Sequence, residues 1–156
     1  MTQIVAEAAR IIHERPAEVY AFLRDYRVSH PQILPMDVFH DFTVEEGGEG
    51  EGTVVRFRVT SPGRSRAFHM RVSEPEPGRV LEERDMDSSM VTRFTLTPVA
   101  GGTKTQVHIH SQWDGSGGFG GFMERTFAPR YLQGVYAREL ALLEAMRGGA
   151  SAPRPR

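Results

Sequence analysis

From residue 38 to residue 113 almost every segment of this chain alternates apolar and polar residues as a strand does. Only one long stretch of helical periodicity, 118–147, is available to cover them. A sheet must bury one face against another layer. One helix cannot plug every gap along a wide, curved sheet, so this order of segments predicts an internal cavity, and the cavity an apolar ligand.

The strands read as follows. Residues 4–13 alternate loosely, with Ala9, Ile11 and His13 sharing a face, and end at a helix opened by Pro16 with Glu18 in its first turn. Two prolines and His30 break the pattern over 26–35 and leave a short second helix or loop around 31–34. Val38, His40, Phe42 and Val44 fall on one side of the next strand, and the glycines of 47–52 turn the chain. Val55, Phe57 and Val59 oppose Arg56 and Arg58; Phe68, Met70 and Val72 oppose His69 and Arg71. The charged strand 80–87 has no assignable inner face. Phe94 and Leu96 oppose Arg93, and Val107 and Ile109 oppose His108 and His110. The expectation is an α+β fold with a curved antiparallel sheet of about six to seven strands.

Fully helical, 118–147 would reach about 45 Å, enough to cross the sheet diagonally. Pro129 predicts a kink or restart that divides an aromatic first half from a second half striped by Leu132, Val135, Leu142 and Met146. Residues 1–147 read as one domain, and 148–156, small and Pro-containing, as a disordered tail.

Composition narrows the function. With no cysteine, the chain has no disulfide framework, thiolate nucleophile or Cys-based zinc site. A formal net charge of -1 gives no global field for nucleic acid, and no apolar run is long enough to span a bilayer. The N-terminus lacks the pattern of a signal peptide, which predicts a cytoplasmic protein. No cofactor is implied, and monomer and homodimer both remain open.

Five segments, RPAEVYAFLRD, GGEGEGTVVRF, EPEPGRVLEE, SSMVTRFTLTP and GGFMERTFAP, together with the element order, resemble the START-like (SRPBCC) superfamily. The last two look like its small stand-alone bacterial branch. The resemblance implies a helix-grip fold: one strand, two short helices, a run of antiparallel strands and a long C-terminal helix. It also implies that hydrophobic ligands, lipid or polyketide-like, occupy the space between sheet and helix, with chemistry in only some members.

The expected lining is Phe42, Phe57, Phe68, Met70, Phe94 and Trp113 from the sheet, with Phe119, Phe122, Met123, Phe127 and Tyr131 from the helix. Ordinary core packing explains many such residues equally well. His40, His13 and Arg66 share parity with inward apolar neighbours and are the candidates to orient a ligand's oxygen or move a proton. A strand-end position in contact with solvent is the plainer reading of each. His108 and His110 form an HxH pair, but they oppose Val107 and Ile109 and lack a third ligand, so no metal site is expected. Gly115 to Gly120 fits GxGxxG, yet no parallel strand with a terminal acid follows; the glycines read instead as a hinge at the cavity mouth. Three readings stay open: a binder of hydrophobic small molecules, a cyclase, aromatase or dehydratase using a polar cavity residue, and a protein-interaction module.

Overall fold

The computed structural model describes residues 3–61, 64–115 and 129–148. Its strands are β1 (Gln3–Ile12), β2 (Phe39–Glu46), β3 (Val54–Ser61), β4 (Arg64–Glu76), β5 (Val80–Asp85), β6 (Val91–Val99) and β7 (Lys104–Asp114). They form one antiparallel sheet in the order β1-β7-β6-β5-β4-β3-β2. First and second strands therefore lie on opposite edges. Helix α1 (Pro16–Arg24) and a short 3-10 helix (His30–Ile33) carry the chain between them. Helix α2 (Pro129–Leu143), which ends in a π-helical turn (Glu144–Gly148), packs against β1 and the 3-10 helix. Among the described residues no helix is long and apolar enough to cross a membrane. The glycine run from 116 onward, the aromatic first half of the expected closing helix and the tail from 149 lie outside the described residues.

Alternation places the inner face of most strands. Thr105, Val107, Ile109, Ser111 and Trp113 of β7 are buried, while His108 and His110 are on the other face. At β1 the expected face is reversed. Ile4, Ala6, Ala8 and Ile12 pair with Trp113, Ser111, Ile109 and Thr105, so the register turns the even-numbered residues inward and leaves Ile11 45% exposed. Both parities of this strand carry apolar residues, and pairing with β7 decides between them. Strand β5, unassigned from its sequence, turns Leu81, Glu83 and Asp85 inward, because Leu81 faces Phe94 and Glu83 faces Thr92 across the β6 ladder.

Strand β2 departs from strict alternation. His40 pairs with Arg58, but the next pair is Thr43 with Arg56, so one extra residue is accommodated. Asp41 supplies the bulge at φ 56°, a left-handed value that Asp tolerates better than most residues. Phe39, Phe42 and Val44 consequently face inward together, and His40 faces outward.

The glycine turn after β2 docks on the end of α1. Gly50 N–H donates to the Arg24 carbonyl and Tyr26 N–H to the Gly48 carbonyl, each at 2.9 Å. Gly48 has φ 146°, a conformation that L side chains rarely adopt, so glycine suits this turn even though the flexible Arg27 side chain beside it could move aside.

Candidate functional site

Between the sheet and α2 lies a cavity of about 60 Å³. Its apolar wall is a run of rings contributed by neighbouring strands: Phe57 lies 5.5 Å from Phe39, 6.3 Å from Phe42 and 5.6 Å from Phe68, centroid to centroid. Val38, Val55, Val59, Met70, Met90, Phe94 and Leu132 complete it. The volume holds roughly four water molecules, so an occupant is small unless the ring side chains swing aside.

One part of the lining is polar, and none of its members was a sequence candidate. Tyr26 Oη donates to Glu83 Oε2 at 2.7 Å. His30 stacks on Tyr26 at 4.5 Å and meets Phe94 edge-on at 5.4 Å. Its Nδ1 lies 2.7 Å from the Leu23 carbonyl, which only accepts, so Nδ1 carries the proton. Nε2 then points to Glu83, 3.8 Å from Oε2. From α2 come Tyr136 and Glu139. Tyr136 Oη lies 2.6 Å from Ser111 Oγ, which lies 2.6 Å from Thr92 Oγ1, a chain of hydroxyls across two strands and the helix. Glu139 is 3% exposed, lines the cavity, and makes no hydrogen bond or ion pair with any described residue.

These surroundings shift the ionisable groups. Burial, and after it the charge of Glu83, raises the Glu139 carboxyl well above the usual carboxylate range. Burial and Glu83 raise the Tyr26 phenol in the same way, and burial raises that of Tyr136. The site therefore pairs a hydrogen-bond acceptor at Glu83 with a carboxyl at Glu139 that burial pushes towards its protonated form.

Of the residues named from sequence, Phe42, Phe57, Phe68, Met70 and Phe94 line the cavity. Trp113 is buried at 1% on the same face of the sheet but away from the cavity, and Tyr131 is 41% exposed on α2. Phe119, Phe122, Met123 and Phe127 lie outside the described residues. The polar candidates are elsewhere. His40 is on the outer face, 2.8 Å from Thr60 Oγ1, because of the Asp41 bulge. His13 follows β1 at the surface, 3.6 Å from Glu144 Oε2. Arg66 does face inward, with its guanidinium 5.1 Å from the Phe68 ring centre and 3.8 Å from Asp85 Oδ2, beside the cavity lining and not in it.

Two residues of the polar set have a sequence signal. Glu139 falls at i+7 from Leu132 and i+3 from Tyr136, so it lies on the buried stripe of α2. Glu83 lies on the parity of Leu81. On the outer face His69 and Arg56 bind Glu45, His108 binds Glu7, and a polar groove runs past Glu82, Arg84, Arg93 and His110.

A seven-stranded antiparallel sheet closed by a C-terminal helix over an aromatic cavity is a helix-grip fold of the START type. The chain belongs to the family described as polyketide cyclase / dehydrase and lipid transport, which matches residues 3–146. Among solved structures it resembles the KanY protein, determined by NMR, at 32% identity over 94% of this chain and 98% of that one, with a TM-score of 0.81. Two further likenesses are of fold. The Zhui aromatase/cyclase from Streptomyces sp. R1128 is 18% identical, covers 96% of this chain and 94% of its own, and superposes with a TM-score of 0.65. A START superfamily protein from Mycobacterium smegmatis is 14% identical over 94% and 98%, with a TM-score of 0.68. No curated protein matches the sequence significantly.

Proposed function

We propose that residues 1–147 form one domain that binds a small molecule with an apolar body, lipid or polyketide-like in character, in the cavity between the sheet and α2. The observation that carries this reading is the division of one cavity into an aromatic wall and a compact polar group at Glu83, Tyr26, His30 and Glu139. Apolar contact supplies affinity, and a few convergent polar groups fix orientation. The cavity lies in the same family-wide fold that the Zhui aromatase/cyclase shares.

A second reading has its own support. A carboxyl held towards its protonated form at Glu139, with a second carboxyl at Glu83 and the His30 Nε2 3.8 Å from it, is an arrangement suited to hand a proton to a bound carbonyl or hydroxyl and take one back. Binding would then be the first step of acid–base chemistry.

Native mass spectrometry of protein isolated from its own host tests the first reading. The wild-type protein is expected to carry an apolar small molecule, and Val55→Phe, which fills the cavity, to emerge without it. A ligand-free mass under varied growth conditions, with no response to added toluene or naphthalene, contradicts it. Under the second reading the released molecule is converted on incubation, and conversion stops in Glu139→Gln.

A further inference from the structure

We propose that the occupant carries a cationic nitrogen held between Glu139 and Glu83, so that the ligand class is a small alkyl- or arylamine. This rests on the binding reading above and specifies the polar end of the ligand.

Three observations converge on it. Glu139 is 97% buried by its 3% exposure, lines the cavity and has no partner among the described residues. An acid in such a place costs stability that Leu or Gln would not, which is a reason to look for a partner beyond the described residues, and the cavity it lines is open to one. Second, Glu83 on β5 is the neighbouring carboxylate, and its Oε2 is occupied by Tyr26 while no bond from a described residue engages its other oxygen. Third, among the described residues the lining contains no lysine or arginine, and His30 supplies the one nitrogen-bearing side chain there. The wall also carries rings, among them Tyr26, Phe94 and Tyr136, whose negative faces favour a cation.

Other ligand chemistries fit less well. An anion would meet two carboxyl groups without a cation to offset them. A bare divalent ion needs about six oxygen ligands, and this wall is mostly hydrocarbon. An ammonium group brings its own donors on an apolar body. It faces Glu139 from α2, Glu83 from β5, Tyr26 and His30 from the segment after α1, Thr92 from β6 and Tyr136 from α2. The step is a proton release: the ligand arrives as an ammonium ion, the O–H bond of the Glu139 carboxyl breaks with its proton passing to water and buffer, and no bond between heavy atoms changes. The raised proton affinity of Glu139 supports this coupling.

Calorimetric titration of the full chain with benzylamine, benzyl alcohol and toluene near pH 7, in two buffers of different ionisation enthalpy, tests the assignment. Benzylamine is expected to bind at least about tenfold more tightly than benzyl alcohol, with up to one proton passed to the buffer. Glu139→Gln should bring the two ligands within about threefold and abolish the release. Glu83→Gln, an independent variant should Glu139→Gln fail to fold, should also weaken the preference. His40→Ala on the outer face should change nothing. If the alcohol binds as well as the amine, or the preference survives both carboxyl variants, the amine assignment is wrong and the cavity reading stands. If none of the three ligands binds, the cavity reading falls and takes the assignment with it.

Discussion

Glu139 shows what a single residue can cost and signal. Its folded proton affinity lies above that of the unfolded chain, whose ordinary value is 4.5, because burial and Glu83 oppose its charge. Above that ordinary value the unfolded state loses the proton first, so the contribution of this group to stability falls as pH rises. Denaturant titrations at several pH values should therefore show Glu139→Gln gaining on the wild type from about pH 4.5 upward, by at most about 1.4 kcal/mol per pH unit. A pH-independent difference would mean that the carboxyl is not held protonated. Neither this residue nor Glu83 is among the candidates read from the sequence, where histidines and an arginine on apolar parities drew attention instead. Glu139 was readable as a break in the apolar stripe shared by Leu132 and Tyr136. The misplacement of His40 has a different cause, since one left-handed residue, Asp41, shifts the parity of everything before it and no local pattern announces the shift. At that position Asp41→Val should cost about 1–2 kcal/mol, and Asp41→Gly should cost nothing or stabilise slightly, measured by chemical denaturation.

Among the elements, the junction of α1 with the glycine turn and β4 is held by one carboxylate. Glu74 Oε2 accepts from Tyr20 Oη at 2.7 Å and Arg24 Nε at 3.3 Å, and Oε1 accepts from the Glu51 N–H at 2.8 Å. Burial alone would raise its proton affinity, but bonds from Arg24, the Glu51 N–H and Tyr20 outweigh it and hold the carboxyl below its ordinary value. The sign is the reverse of Glu139: this stability is present above the unfolded value of 4.5 and is lost as pH falls through the folded one. Glu74→Ala should cost about 2 kcal/mol at neutral pH, less than a fully buried pair because Arg24 is 35% exposed. The difference should shrink in acid; a constant difference would mean that packing alone is lost. The element order and the inner faces of β3, β4, β6 and β7 were readable because each strand has one apolar parity. Strand β1 is apolar on both parities and β5 is charged on both, so their faces are set by ladders with β7, β6 and β4 that only the folded sheet supplies.

For the molecule as a whole, the relation between one closing helix and a seven-stranded sheet governs both stability and function. Leu132, Val135, Tyr136, Leu140 and Leu143 of α2 join the core that the sheet's inner face presents. Leu140→Ala should cost about 2–5 kcal/mol. The ion pairs of Arg10 and Arg147 with Glu144, Glu14 and Glu18 are largely at the surface and should matter little in comparison. The single tryptophan, Trp113, is 1% exposed, is not part of the cavity lining, and reports unfolding. The same coverage argument that predicts a cavity from sequence does not predict its chemistry, because the polar group is assembled from the segment after α1, β5, β6, β7 and α2, far apart in the chain. The most direct test is to place toluene by intermolecular nuclear Overhauser effects on the labelled protein. The account predicts contacts to Phe57, Met70, Phe94 and Leu132. Contacts confined to the outer groove at Arg84, Arg93 and His110, or none at saturating toluene, would contradict it.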